Sequence, residues 1–288
     1  MLKKLKAYRD LTRLENGLIF AMSFVVSLII ARPDGSNMIY VALAGIIASI
    51  TAEMGAFALN DYFDVEVDRK NNRTDRPIVR GEVSKSEAMA VTVAGFAVSI
   101  IAGTLMGNIG ALAVIIALII FSIFYDYRLK EYGIWGNIYI AFTMAAPFLF
   151  TSMLFNGSNV LNLLSIIAFL VGLGREIMKG IMDMEGDELR DVKTVARVHG
   201  ERAAKYVAVS LYVLALLLAP VPFFVSLDPT YYHNPIYAVL TVLSGLTLLQ
   251  VCASMLRNHE RKTISRARKT TMAAMVLALL AFLLPTIL

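Results

Sequence analysis

Charged residues are scarce in this sequence, and cysteine is almost absent. Asp, Glu, Lys and Arg make up 17% of its 288 residues, whereas soluble domains carry about a quarter. The single cysteine, Cys252, cannot form an internal disulfide, so cysteine usage does not indicate an oxidising compartment. The three histidines are dispersed without metal-ligand spacing, which argues against a zinc or haem site. Neither a Gly-rich nucleotide loop nor a Ser/His/Asp set stands out in the sequence.

Apolar residues are abundant and come in long blocks. They make up 58% of the chain, and the mean hydropathy is +0.67. A membrane-spanning helix needs about 20 mostly apolar residues. The sequence therefore predicts an all-α, polytopic membrane protein with nine transmembrane helices, at roughly 17–31, 38–60, 86–106, 109–126, 134–155, 159–182, 203–224, 235–256 and 270–287.

The residues before the first span form an amphipathic segment, 1–16. Apolar side chains recur in it every three residues, as in a helix that lies on the bilayer surface; they are Leu2, Leu5, Tyr8, Leu11 and Leu14. The segment is longer and more mixed in charge than the basic region of a signal peptide, so we expect no cleavable signal. We interpret residues 1–288 as one domain, in which the amphipathic segment precedes the nine helices of 17–287.

The distribution of basic residues predicts the orientation in the membrane. Of the 27 Lys and Arg residues, only Arg32 falls on the side that holds the short, mostly neutral connectors. The positive-inside rule therefore predicts a cytoplasmic N-terminus, cytoplasmic charged loops and an extracytoplasmic C-terminus. This basic surface, including the loop of residues 257–269, suits anionic lipid head groups. We expect membrane lipids as partners and no nucleic acid.

Acidic residues concentrate at the cytoplasmic end of the second span, in "NDYFDVEVDRKNNRTDRP", residues 60–77. Asn60, Asp64 and Asp68 are each four residues apart, so a continued helix would place them on one face. Glu53 lies on the same face, about 10 Å deeper by the helical rise. Carboxylates at a helix C-terminus repel one another and the negative end of the dipole. A cation between them would relieve this repulsion.

The sixth span repeats this pattern of charges. Arg175, Lys179, Asp183, Asp187 and Asp191 follow one another at intervals of four residues. One acidic loop beside basic residues is usually a solvated connector, but two same-side clusters that continue charges within a span favour a functional site. Mg²⁺ takes carboxylate oxygens together with substrate phosphates, and interleaved Arg and Lys suit the remaining phosphate oxygens. The two clusters together predict a site for a Mg²⁺-bound diphosphate at the membrane surface.

These motifs resemble the two signatures of the UbiA superfamily of intramembrane prenyltransferases. The first is N-D-x-x-D-x-x-x-D, here Asn60, Asp61, Asp64 and Asp68, with Arg76-Pro77 downstream; the second is D-x-x-x-D, here Asp183 and Asp187. The resemblance covers the whole chain, including the number of helices and the positions of the charged loops. It implies a ring of nine helices around a central cavity, capped by cytoplasmic loops.

Three segments are most similar to the archaeal subfamily of digeranylgeranylglyceryl phosphate synthases: "DRKNNRTDRP", "YDYRLK" and "GREIMKGIMDMEGD". That similarity implies transfer of a geranylgeranyl group from its diphosphate to the free hydroxyl of geranylgeranylglyceryl phosphate, a step of archaeal ether-lipid synthesis. In "YDYRLK", Asp126 stands where relatives tend to carry Ser, and the resemblance gives it no role.

The resemblance also implies roles for individual residues. Mg²⁺, the expected cofactor, would be held by Asn60, Asp64, Asp68, Asp183 and Asp187, and the four carboxylates of this set would be the catalytic residues. The candidates for direct contact with the donor diphosphate are Arg69, Arg76, Lys130 and Lys193, followed by Tyr125 and Arg128. Asp61 and Asp191 keep no assigned role.

The phosphorylated, lipid-like acceptor would need a second anion site. Arg175 and Lys179 lie one to two turns deeper than Asp183 on the same stripe and could hold the acceptor phosphate, while Glu53 could orient the attacking hydroxyl. Two alternatives stay open. One is the same chemistry with an aromatic acceptor, such as a quinone precursor, haem or chlorophyllide. The other is a membrane transporter, against which the placement of the charges at the cytoplasmic rim argues.

Overall fold

The computed structural model describes residues 2–33, 38–70, 73–155, 157–182, 192–257 and 261–288. Within these residues the regular secondary structure is entirely helical. It comprises a 3₁₀ helix, Leu129–Glu131, and eleven α-helices: α1 Leu2–Thr12, α2 Leu14–Ala31, α3 Met38–Lys70, α4 Lys85–Leu105, α5 Ile109–Tyr127, α6 Ile134–Leu154, α7 Asn159–Met182, α8 Val195–Leu218, α9 Val221–Phe224, α10 Pro235–Arg257 and α11 Arg261–Ile287.

The predicted membrane spans are confirmed. In the described part of the chain, nine helical stretches are long and apolar enough to cross a membrane, with α8 and α9 counted as one. Two helices extend well beyond the predicted spans: α3 continues to Lys70 and α11 begins at Arg261. α8 begins at Val195 but is kinked at Gly200, whose φ of 85° and ψ of 158° are not helical. The apolar pattern stops where the hydrocarbon stops, but the backbone hydrogen bonds of α3 and α11 continue through polar residues. With 33 residues, α3 is about 50 Å long, well over the roughly 30 Å of a hydrocarbon core.

The chain divides into two compact units. The first contains residues 1–28 and 32–128, and the second contains residues 29–31 and 129–288. In the first unit α3 is the central helix, and it packs against α1, α4 and α5. In the second unit α6 packs on α7, α7 on α8, and α10 on α11.

Small residues allow α3 and α4 to approach closely. A Cβ atom added to Gly95 would lie 2.6 Å from the carbonyl oxygen of Thr51 and 3.1 Å from the Cα of Gly55. Two hydroxyls reach across the same contact, since Thr92 Oγ1 donates to Gly55 O at 3.3 Å and Ser99 Oγ donates to Ala48 O at 2.9 Å. Small residues and interhelical hydrogen bonds are the usual basis of helix packing in membranes.

The N-terminal helix packs against protein. Ala7 and Leu11 of α1 are fully buried in a core that also contains Ala58, Val65 and Ile78. Leu5 stays exposed. Of the apolar face that the sequence assigned to the bilayer surface, Tyr8 and Leu11 therefore pack against the end of α3 and the loop that follows it, which a period of three residues alone could not indicate.

Polar contacts from α1 fix the loop between α3 and α4. The Arg80 guanidinium donates to the carbonyl oxygens of Thr74 and Asp75, at 3.0 and 2.9 Å, and to Asp10 Oδ2 at 2.9 Å. These bonds stabilise the conformation of the loop and attach the loop to α1.

At the start of α4, Tyr8 donates to Glu87 at 3.0 Å and Lys4 pairs with the same carboxylate at 2.6 Å. The hydrogen bond to Glu87 raises the pKa of both Lys4 and Tyr8. Glu87 also completes a capping box with Ser84, which satisfies backbone donors of the first turn of α4. This carboxylate therefore joins α1 to the N-terminus of α4.

A buried carboxylate holds the corner between α1 and α2 against α3. Asp61 is 2% exposed, and its Oδ1 lies 2.9 Å from Arg13 Nη2 and 3.1 Å from Arg76 Nη1. Arg13 is at the helix corner, with a left-handed φ of 43°, and its guanidinium lies 4.4 Å from the centroid of the Phe57 ring. Asp61 therefore connects the corner, α3 and the following loop through two arginines.

Substitution of Gly95 by Ala tests the close packing of α3 and α4. The added methyl group would press on backbone atoms, so we expect a loss of about 1–3 kcal/mol of stability, measured as a lower melting temperature in detergent micelles. Gly245→Ala is the matched control, because there the nearest atom, Leu216 Cδ2, is 3.4 Å away and Ala favours a helix by up to about 1 kcal/mol. Equal melting temperatures for the two variants would contradict the packing.

Substitution of Asp61 by Asn tests the buried carboxylate. Removing its charge leaves Arg13 and Arg76 without this counter-ion, and breaking a buried pair costs about 3 kcal/mol. Asp75→Asn is the control, because Asp75 is exposed and pairs with Arg73 at 2.8 Å and with Arg76 only at 3.8 Å; such surface pairs contribute about 1 kcal/mol or less. Thermal unfolding should rank Asp61→Asn well below both the control and the unmodified protein; equivalence of the two variants would refute the role of Asp61.

Candidate active site

Three of the predicted metal ligands lie on the extended end of α3. Asn60, Asp64 and Asp68 follow one another at turn spacing, as the sequence predicted. The Asn60 amide nitrogen donates to Asp64 Oδ2 at 3.2 Å and, across to α5, to Asp126 Oδ1 at 2.7 Å. The first unit therefore gathers two carboxylates around one amide.

Sequence reasoning gave Asp126 no role, and the structure places it in this group. It is 3% exposed at the C-terminal end of α5. The available signal was its residue type, since an ionisable side chain at the end of an otherwise apolar span is costly and usually functional. Arg13, the second missed residue, had a weaker signal because a basic residue before a first span is common.

Asp68 is buried in a different charge environment. Its Oδ2 lies 3.5 Å from Nε of Arg76, whose guanidinium also pairs with Asp61. Arg76 is a predicted diphosphate contact, and in this structure it neutralises two carboxylates of α3. Among the described residues, the Asn60 amide contacts Asp64, whereas Arg76 contacts Asp61 and Asp68.

The remaining predicted residues of the first unit surround this group at different depths. Arg69 is exposed and pairs with Glu66 at 3.2 Å. Glu53, deeper on α3, is partly buried and within electrostatic reach of Arg13. Tyr125 is partly buried near the end of α5, and Arg128 is exposed and caps that helix through its backbone N–H, which donates to Phe124 O.

The donor atoms on α3 have the chemistry that Mg²⁺ requires. Asn60, Asp64 and Asp68 offer hard amide and carboxylate oxygens, the ligands this ion prefers. In the described residues, no three Asp, Glu, His or Cys side chains converge closely enough to hold a metal by themselves. The second predicted half of the set, Asp183 and Asp187, lies outside the described residues together with Asp191. The α3 residues fit one half of a divalent-cation site.

In the second unit, the two candidate acceptor contacts flank a buried acid on α7. Arg175 Nη1 lies 3.5 Å and Lys179 Nζ lies 3.6 Å from the Glu176 carboxylate, which is 8% exposed. The Arg175 Nε atom is buried and has no hydrogen-bond partner within the described part of the chain. The pair keeps the positive charge that an anion would need, although Glu176 neutralises part of it.

Two candidate diphosphate lysines of the second unit belong to segments in direct backbone contact. Lys130 lies in the 3₁₀ helix, and the turn that follows it contains Gly133. A Cβ atom at Gly133 would lie 2.2 Å from the carbonyl oxygen of Lys193, so only glycine allows this approach. Lys193 itself is exposed, just before the Thr194 cap of α8.

Comparisons with known proteins agree over nearly the full chain. The chain is 43% identical over 280 residues to a digeranylgeranylglyceryl phosphate synthase of Archaeoglobus fulgidus, covering 96% of this chain and 94% of that protein. It is 31% identical to the protein of the same name from Saccharolobus solfataricus, covering 97% and 96% of the two chains.

Solved structures share the fold. A structure described as a digeranylgeranylglyceryl phosphate synthase in membranes superposes with a TM-score of 0.85, at 27% identity and over 99% of both chains. A UbiA homologue from Archaeoglobus fulgidus bound to DMAPP and Mg²⁺ superposes with a TM-score of 0.69, at 16% identity and over 96% and 98% of the chains. A sequence profile of the UbiA prenyltransferase family matches residues 20–284. The fold class predicted from the sequence is confirmed, and the chain belongs to the UbiA prenyltransferase family.

Proposed function

We propose that this membrane enzyme transfers a geranylgeranyl group from geranylgeranyl diphosphate to the free hydroxyl of geranylgeranylglyceryl phosphate. The product is digeranylgeranylglyceryl phosphate, a precursor of archaeal ether lipids. The observation that carries this proposal is the 43% identity to a synthase of that name over 96% of the chain. The oxygen donors of α3 support it, because they suit the cation that accompanies a diphosphate.

The predicted site residues keep their proposed roles. Asn60, Asp64 and Asp68 would hold Mg²⁺ together with Asp183 and Asp187; bound there, the ion supplies Lewis-acid stabilisation of the charge that develops on the leaving diphosphate. Arg69, Lys130 and Lys193 would bind the diphosphate oxygens, and Tyr125 and Arg128 would assist them. Arg76 would bind the diphosphate by exchanging part of its pairing with Asp68 for a phosphate oxygen.

The reaction breaks the C1–O bond of the donor and forms a bond from C1 to the acceptor oxygen. The electron pair of the broken bond leaves with the diphosphate, and C1 gains allylic-cation character until the hydroxyl attacks and loses its proton. Positive side chains around the leaving group therefore stabilise the transition state more than the ground state. Water has to be excluded, because it would compete with the acceptor for the cation.

Arg175 and Lys179 are the proposed contacts of the acceptor phosphate. The Nε atom of Arg175 has no hydrogen-bond partner among the described residues, and this supports the role, since a buried donor without an acceptor is costly and an anion would satisfy it. Glu53, deeper on α3, is the proposed group that orients the acceptor hydroxyl. Asp61 is proposed as a structural counter-ion and not as a metal ligand, because its Oδ1 already faces two arginines.

We further propose the chain as one domain with the charged loops and the N-terminus in the cytoplasm and the C-terminus outside. The asymmetric distribution of Lys and Arg supports this orientation. The site would then open toward the cytoplasm, and both lipid-like substrates would enter from the surrounding lipid.

A transfer assay tests the reaction and its acceptor. Purified protein in detergent, with Mg²⁺ and radiolabelled geranylgeranyl diphosphate, receives geranylgeranylglyceryl phosphate in one tube and 4-hydroxybenzoate in another. We expect labelled digeranylgeranylglyceryl phosphate in the first tube only, and none after chelation of Mg²⁺. Asp64→Asn should lower the rate by about 100-fold or more, as removal of a charge-stabilising group does.

Glu66→Gln is the matched control, because Glu66 lies on the same helix and is largely exposed; it should keep nearly full activity. Product only with the aromatic acid would keep the site and reject the proposed acceptor. No transfer in either tube, with folded protein, would contradict the proposed function.

Exchange of Arg175 for Ala tests the acceptor site. The loss of one charged contact should raise the acceptor KM by about tenfold, or roughly 1.4 kcal/mol, and leave the donor KM nearly unchanged. Arg175→Lys should restore part of the acceptor affinity, which separates loss of charge from loss of packing beside Glu176. Equal changes in both KM values would refute the assignment.

A further inference from the structure

We propose that Asp126 is a positioning residue, which acts through the Asn60 amide to hold Asp64 in place for the cation. The inference rests on the proposed function, because it assigns Asp64 to the Mg²⁺ site. The observation that carries it is the hydrogen bond of 2.7 Å from Asn60 Nδ2 to Asp126 Oδ1, made together with the bond of 3.2 Å to Asp64 Oδ2.

The chemistry of the three side chains allows one orientation of the Asn60 amide. Ionised carboxylates only accept hydrogen bonds, and an amide nitrogen carries two donors. With Asp64 on one side and Asp126 on the other, the nitrogen has to face both acids. The amide plane is then fixed, and its carbonyl oxygen points away from the two carboxylates. Asn60 is left with one oxygen to offer to a cation.

The contact joins two helices that are distant in sequence. Asn60 and Asp64 lie on α3, one turn apart, while Asp126 comes from the end of α5. Asp126 is almost fully buried, and the bond to a charged acceptor is short, as charge-assisted hydrogen bonds are. The bond therefore anchors the amide, and through it Asp64, to a second helix. Outer partners of this kind typically change metal affinity or activity by about 10–100-fold when removed.

The residue type at position 126 strengthens this reading. A hydroxyl at this position could both donate and accept. It would therefore tolerate either orientation of the neighbouring amide. A carboxylate accepts only, so Asp126 removes that freedom and gives Asn60 a single arrangement.

Binding of Mn²⁺ alone, as a paramagnetic substitute for Mg²⁺, measures this effect without the transfer reaction. Free Mn²⁺ is followed by electron paramagnetic resonance as the ion is added to the purified full-length protein in detergent. We expect Asp126→Ala to weaken Mn²⁺ binding by about tenfold. Asp126→Asn keeps an acceptor oxygen, so it should bind within about threefold of the unmodified protein. Asp75→Asn, an exposed carboxylate, is the control and should not change binding.

A double substitution separates positioning from direct ligation. If Asp126 acts through Asn60, the variant with both Asn60→Ala and Asp126→Ala should bind Mn²⁺ no more weakly than Asn60→Ala alone. Additive losses of Mn²⁺ affinity in the double variant would indicate that Asp126 is a direct ligand and overturn the proposal. An Asp126→Asn variant that binds Mn²⁺ as weakly as Asp126→Ala would do the same. So would unchanged binding in Asp126→Ala, or an unmodified protein that binds no Mn²⁺. A wrong acceptor assignment would alter the transfer assay only and leave these titrations unchanged.

Discussion

Repulsion among carboxylates at the end of α3 is the constraint on which the first unit depends. Asp61, Asp64, Asp68 and Asp126 share a small, largely buried volume at helix C-termini, where the dipoles are also negative. Two kinds of partner resolve the repulsion. Arginines from the N-terminal corner and from the α3–α4 loop neutralise Asp61 and Asp68. The Asn60 amide donates to both Asp64 and Asp126.

This division distinguishes a structural carboxylate, Asp61, from one that we propose as a cation ligand, Asp64. Asp61 holds the corner and the loop in place through two arginines, so we expect its loss to lower the stability of the fold. Asp64, which accepts from the Asn60 amide, is the carboxylate that we propose as a ligand of the cation. The N-terminal helix belongs to the same arrangement, because α1 covers the loop that carries Arg76 and supplies, through Arg80 and Asp10, one of the bonds that fix it. The N-terminal helix, although it lies outside the predicted membrane spans, therefore helps to hold the loop that carries Arg76 in place.

The sequence predicted the helices and the spacing of residues along them well, but it predicted the contacts between side chains poorly. Nine apolar stretches and the spacing of Asn60, Asp64 and Asp68 are local patterns, and the structure reproduces them. The bond between Asn60 and Asp126 joins residues 66 positions apart, and no periodicity encodes such a pair. Arg175 and Lys179 were predicted as contacts of the acceptor phosphate from a stripe with a spacing of four residues. Glu176, one and three residues away from them, lies off that stripe and pairs with both.

The missing Cβ of Gly133 has a mechanical consequence in the second unit. With the backbone of this turn in contact with the carbonyl of Lys193, the segment that carries Lys130 and the segment that carries Lys193 cannot move independently. A shift of either segment must therefore be transmitted to the other. A single methyl group at position 133 would push the two segments apart, and with them Lys130 and Lys193, without removing any charge.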